Sequence, residues 1–409
     1  MSRSLKQVCL RTGALGLTFI FGLALAACSS MPERKTLNDA QFEERSEIEL
    51  AAQTERFTAS VGRLVQSMRN EQETAAPGAQ VTLNFLALSG GGDYGAFGAG
   101  FLVGWGEAAD PTHRRPDFDV VSGVSTGALL APFAFVGTDE SCRTVEKFYR
   151  NPEKDWVEDR GLLFFLPSNA SFMVIPRLEA SLKTAITPEL VDQMAAKSRR
   201  GKFLAISATD LDYGRQHIWD LGTEAEHAAA KSDSERLRRI MLASAAIPVA
   251  FPPIEIDGSL FADGGVTANV LVKLDPRSPQ GFIQTWKRNY PGVAFPPVRY
   301  WIIINNSLSQ PPKTVQPKWP EVLSPSLATS IRSATIAEVR WLAAQADYVN
   351  CAYGTDIEVR LVAIPDSWRP PVQGDFQKAT MDSLADLGRK LAADPNSWTL
   401  MTTPRDAKP

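Results

Sequence analysis

The chain has 409 residues, of which 44% are hydrophobic and 22% charged, an ordinary globular composition with room for one large domain or two smaller ones. The formal net charge is −3 and no Lys/Arg-rich run stands out, which argues against nucleic acid as a partner.

Arg3, Lys6 and Arg11 precede the apolar run ALGLTFIFGLALAAC. A basic start followed by an apolar stretch too short to span a bilayer comfortably reads as a targeting segment. The run closes on Leu25-Ala26-Ala27-Cys28, which resembles a bacterial lipobox. That resemblance implies cleavage before Cys28 and lipid on Cys28. With Ser at position 29 it also implies the outer membrane, facing the periplasm, as the location. An uncleaved anchor or a plain secretory signal is the alternative. Two or more acyl chains on one residue would give stable membrane anchoring. Loss of the three basic residues takes the formal charge from −3 to −6, so attraction to anionic lipid is not the expected main membrane contact. Cys9 leaves with the segment. Cys142 and Cys351 remain, as a disulfide or as two separate thiols. Neither has a CxxC or His neighbour, so no metal site is expected.

The expected organisation is a signal peptide over 1–27, a linker or helical arm over 28–80, a main domain over 81–395 and a tail over 396–409. In the arm, Phe57, Val61, Leu64, Val65 and Met68 recur at helical spacing. VTLNFLALSGGG is then an apolar, strand-like run ending in glycines, and FGAGFLVGWGEA follows with helical character. FDVVSGVSTG again reads as strand and turn, and ALLAPFAFV as helix. KFLAISATDL, VRYWIIINNS and DIEVRLVAI are further buried-strand candidates, with helices expected over 331–348 and 375–393. SPQGFIQTWKRNYPGVAFPP reads as a long loop or insertion. Strands alternating with helices predict an α/β sheet covered on both faces.

Three glycine-bearing motifs carry the candidate chemistry. In GVSTG, Gly123 and Gly127 permit a tight strand-to-helix turn that presents the Ser125 hydroxyl outward; a plain Gly-flanked loop is the alternative. In SGGGDYGAFGAG, Gly90, Gly91, Gly92 and Gly95 follow a buried strand. They suit an oxyanion loop or, read as GxGxxG with Asp119 as the distant acid, a dinucleotide site. The serine elbow some 30 residues later favours the oxyanion reading, and no Gly-Lys-Ser/Thr follows to make a P-loop. In SLFADGGVTANV, Asp263 precedes Gly264 and Gly265; it could take the serine proton, although a DGG taken by itself reads as a tight turn. A Ser-His-Asp triad would need His113, His217 or His227. His217 reads as an exposed strand position, His227 lies in a polar stretch and His113 in an Arg-rich loop.

Taken in order, GGGxxG, GxSxG and DGG, with ASAAIPVAFPPI before the last, resemble the patatin-like phospholipases over roughly 81–272. The resemblance implies a three-layer α/β fold with a patatin-like sheet. It implies a Ser125–Asp263 dyad without histidine, metal or cofactor, and hydrolysis of acyl esters in phospholipids and other lipids. The substrate would be a lipid and the membrane contact the Cys28 anchor. Two positions depart from the family pattern: Tyr94 stands where a basic residue commonly precedes the last loop glycine, and Asn269-Val270-Leu271 replaces Asn-x-Pro. Tyr94 motivates a second reading, a catalytically weak or inactive envelope protein with a binding or scaffold role.

Overall fold

The computed structural model describes residues 34–404 apart from 154–155, 160–170, 172, 311 and 313; Cys28 and the targeting segment lie outside the described residues. The chain enters through a 36-residue helix, α1 (Asp39–Thr74). Asn38 and Gln41 cap it reciprocally, each side chain accepting from the other's backbone N–H at 3.0 Å, so two of the helix's orphan donors are satisfied. Its second half buries Val61, Leu64, Val65 and Met68, one stripe at helical spacing. The arm is therefore packed on the domain.

The alternation expected from the sequence follows. First come β1 (Leu83–Leu88), α2 (Gly95–Gly106), β2 (Val120–Val124), α3 (Thr126–Val136) and α4 (Asp139–Arg150). The short pair β3 (Glu158–Asp159) and β4 (Met173–Val174) precedes α5 (Pro176–Ala185) and α6 (Pro188–Arg199). Then come β5 (Phe203–Asp210), β6 (Arg215–Asp220), α7 (Leu221–Lys231), α8 (Glu235–Ser244), β7 (Ile254–Ile256) and β8 (Ser259–Ala262). The last part holds α9 (Phe282–Asn289), β9 (Val298–Ile304), α10 (Trp319–Tyr353), β10 (Ile357–Ala363), α11 (Lys378–Ala392) and β11 (Thr399–Leu400).

Nine strands form one sheet in the order β11-β10-β9-β1-β2-β5-β8-β7, with β6 also on β5. The central five, β10, β9, β1, β2 and β5, run parallel. Parallel strands are covered on both faces, which is why their sequences are near-continuous apolar runs. Phe97, Phe101, Leu130 and Phe133 belong to the core on one face. Val65, Met68, Tyr300, Leu342 and Val349 belong to the core on the other. This is the three-layer α/β architecture. β1 lies between β2 and β9, so the chain's progression across the sheet reverses there, and open α/β sheets form their crevices beyond the carboxyl ends at such points.

Two expectations need correction, and the two cysteines take the second of their alternatives. The segment read as a loop contains α9, whose Ile283 and Trp286 are buried one turn apart. The segment read as a tail contributes β11, antiparallel to β10, and Trp398 packs against Trp105 and Trp301 at centroid distances of 4.9 and 5.0 Å. Cys142 is buried and Cys351 exposed, and both are free thiols; one belongs to the core and the other to the surface, so they are not joined. Among the described residues, no helix is long and apolar enough to cross a membrane.

Candidate active site

Ser125 occupies the bend between β2 and α3 with φ 54° and ψ −124°. Positive φ is strained for a non-glycine residue, and it persists here because the surroundings over-determine it. The Ser125 N–H donates to Ser244 Oγ at 2.9 Å, and Ser244 Oγ donates to the Ser207 carbonyl at 2.7 Å. Gly127 lets the bend close: a Cβ there would stand 2.7 Å from the Leu88 carbonyl carbon at the end of β1. Gly123 packs against the Gly127 backbone in the same way.

Asp263 follows β8, which pairs with the end of β5, and β5 in turn pairs with β2. Those pairings carry a residue from late in the chain to the elbow. Ser125 Oγ donates to Asp263 Oδ2 at 2.6 Å. The other carboxylate oxygen accepts from the Gly265 N–H at 2.7 Å, which gives the DGG turn a role beyond the bend itself. Asp263 is buried, and desolvation pushes its pKa from 3.8 up to about 6, against the opposing pull of the Ser125 and Gly265 hydrogen bonds.

The glycine loop runs beside this pair. A Cβ on Gly90 would stand 3.0 Å from Ser125 Cβ. Of its four glycines, Gly90 donates its N–H to the Asn269 carbonyl at 3.2 Å. Gly95 donates into its own turn and packs against Thr126 and Tyr149. Of the four loop glycines, Gly91 and Gly92 are therefore the two whose N–H groups remain available. Both line the same cavity as Ser125 and Asp263, and neither N–H donates to a described residue.

Several supporting residues surround the loop, and of these Asn305, Asp93, Thr335 and Glu338 are not singled out by the sequence. Asn305, at the end of β9, holds the loop: its Nδ2 donates to the Ser89 carbonyl at 2.8 Å and its Oδ1 accepts from Gly98 N at 3.0 Å. Asp93 is buried, accepts from Phe376 N at 3.0 Å, and is pushed up to about 6 by burial. Tyr94, where the family pattern has a cation, meets Trp368 edge to face at 5.5 Å, so an aromatic pair supports the loop. Glu338 accepts from Val270 N at 3.0 Å and is raised to about 7 by burial. Asn269 Nδ2 donates to Thr335 Oγ1 at 2.9 Å. These two contacts fix the stretch that lacks the family's proline. Ser244 and Asn305 each sit in motifs visible in the sequence, ASAAIPVAFPPI and VRYWIIINNS, but nothing there signals their partners.

The cavity over the pair has a volume of about 340 Å³. Ile247, Phe251, Leu327 and Ile331 supply apolar wall, and Arg332 is its only basic lining residue among those described. Arg332 is held by the Ser307 carbonyl at 3.3 Å and Gln310 Oε1 at 3.1 Å. Val266 lines the cavity although it is 45% exposed, and Val249, 43% exposed, lies between the lining residues Pro248 and Ala250.

None of the three histidines lines this cavity. His113 Nε2 meets the Ala392 carbonyl at 3.0 Å, and His227 is exposed on α7. His217, expected to be exposed, is buried under α1, with Nδ1 2.9 Å from Glu49 Oε1 and 3.0 Å from Gln53 Nε2. Among the described residues, Glu49, Asp210 and His217 offer ligand atoms within 4.8 Å of one another, but none of them borders Ser125. Asp119, the acid of the dinucleotide alternative, pairs with Lys202 and accepts from Asn84 N at 2.7 Å. It is a structural group at the start of β2.

Residues 86–274 match the family model described as patatin-like phospholipase. Among solved structures, the chain is similar to the crystal structure of VipD from Legionella pneumophila at 11% identity. That match covers 79% of this chain and 68% of that one, with a TM-score of 0.34. No curated protein matches.

Proposed function

Because residues 86–274 form a patatin-like phospholipase domain, we propose that this protein hydrolyses acyl esters of membrane lipids through Ser125 and Asp263. The observation that carries the proposal is the 2.6 Å hydrogen bond from Ser125 Oγ to a buried carboxylate, with no imidazole beside either group. A carboxylate at its ordinary pKa is a poor base for a serine hydroxyl; one raised to about 6 holds a proton more firmly.

In the first step Ser125 Oγ attacks the ester carbonyl carbon as its proton passes to Asp263 Oδ2. The Gly91 and Gly92 N–H groups stabilise the negative charge on the carbonyl oxygen. The carbon–oxygen bond to the leaving alcohol breaks, and that oxygen takes the proton from Asp263. Water then attacks the acyl-enzyme and gives a proton to Asp263. The fatty acid leaves, and the proton returns to Ser125. The apolar wall suits the acyl chain, and exposed Val249 and Val266 suit contact with a lipid surface. The Cys28 lipid would hold the domain beside the bilayer of the bacterial envelope. Arg332, a basic residue of the cavity lining, suits a phosphate in the head group.

The second reading, a patatin-fold binding or scaffold protein, rests on Tyr94 in place of the cation. A fluorophosphonate probe and a phospholipid with a labelled acyl chain separate the two. The enzyme reading expects covalent labelling and fatty-acid release, both lost in Ser125→Ala. Neither labelling nor release from any ester would leave the scaffold.

A further inference from the structure

A second cavity, of about 450 Å³, lies between α1 and the sheet, and it shares no lining residue with the Ser125 cavity. Its floor is one face of the sheet toward the amino-terminal ends of the parallel strands. The register sets Phe85 beside Val120 and Tyr300, and Ser122 beside Ala205. Paired residues share a face, and all five line the cavity. The roof is α1, through Leu50, Phe57 and Leu64. Two of these remain in solvent contact, Leu50 at 56% and Phe57 at 39% exposure. The helix thus spans an apolar space that it does not fill. Protein interiors hold few voids larger than a water molecule, and this volume falls in the range of small-molecule sites, about 300–1,000 Å³.

The polar groups at its edge are selective. Arg56 and Lys273 line the cavity, are exposed, and form no ion pair with a described residue. Of the acids that line it, Asp220 is engaged by Ser60, Thr223 and Arg63. Asp275 is turned to its own loop, accepting from Arg277 N at 2.9 Å. An apolar space with two uncommitted cations at its margin fits a long alkyl chain with one anionic end.

We propose that this cavity binds a long-chain fatty acid, with the chain between α1 and the sheet and the carboxylate at Arg56 and Lys273. Binding there does not require Ser125 to be reactive, so the site stands or falls apart from the esterase reading. Native mass spectrometry of the full chain, incubated with palmitate and released from detergent, tests it. About one palmitate per chain is expected with Ser125 covalently blocked by a fluorophosphonate or, should Ser125 prove unreactive, replaced in Ser125→Ala. Filling the floor with Ala205→Phe, or the roof with Leu50→Trp, should lower occupancy by about tenfold. Leu50→Trp alters an exposed helix position, so it remains informative even if Ala205→Phe fails to fold. Arg56→Glu with Lys273→Glu should weaken palmitate by about threefold while leaving uncharged hexadecanol unchanged. No stoichiometric adduct, or occupancy unaffected by Leu50→Trp, would overturn the proposal. So would an adduct that disappears when Ser125 is blocked or replaced, since that would put palmitate in the first cavity.

Discussion

Asp263→Asn should make the protein more stable at neutral pH while removing its activity. The buried carboxylate has its pKa raised from 3.8 to about 6 by desolvation. A shift of that size means the folded state holds the ionised form at a cost of about 3 kcal/mol relative to the unfolded chain. An acid with a raised folded-state pKa binds its proton more readily when folded. Wild-type stability therefore falls as pH rises from about 4 to about 6, and above about 6 the whole cost is in place. Asparagine is nearly isosteric, carries no charge, and can still accept from Gly265 N through its carbonyl oxygen. Urea unfolding at pH 7.5 should therefore show the variant more stable by up to about 3 kcal/mol, with the advantage vanishing near pH 4. A variant equally stable or less stable at pH 7.5 would refute the claim that the site is strained by a desolvated negative charge.

Four further outcomes follow from the same geometry. For a neutral ester, kcat/KM should fall about tenfold per pH unit below about 6 and level off above it, because Asp263 must be ionised to take the proton; a profile flat down to pH 4.5 would contradict this. Tyr94→Ala removes the edge-to-face contact with Trp368, worth about 0.5–1.5 kcal/mol, and should lower kcat about three- to tenfold with KM little changed. Arg332→Ala should raise KM for a phosphate-bearing lysolipid by about tenfold, yet leave a short neutral ester unaffected, as read from parallel steady-state assays. Cys28→Ser should move the protein from the membrane pellet to the soluble periplasmic fraction without changing turnover of a dispersed short-chain ester.

The parts of this molecule that the sequence discloses are those in which local backbone demands dictate residue type. Gly123 and Gly127 flank Ser125 because the bend leaves no room for side chains, and the parallel strands are legible because burial on both faces forces apolar runs. The partners of those elements are less legible, since they come from distant segments. His217 alternates with Ile218 and Trp219 as an exposed edge position would, yet α1 covers that edge; alternation reports which residues share a face and not what lies over it. Trp286 sits among glycines, prolines and charges that mask a two-turn helix. Tyr94 looked like a loss at the glycine loop because Trp368 arrives from the other end of the domain. Likewise, which loop amides are free depended on Asn269, whose carbonyl occupies Gly90.

The most direct measurement is the site and rate of covalent acylation. The protein is quenched during turnover of a long-chain ester, and the acyl group is located by peptide mass spectrometry. Acyl on the Ser125 peptide, formed rapidly in the wild type and at a rate reduced by orders of magnitude in Asp263→Asn, is the predicted result. An acyl group on another residue, or acylation of Asp263→Asn at the wild-type rate, would contradict the dyad.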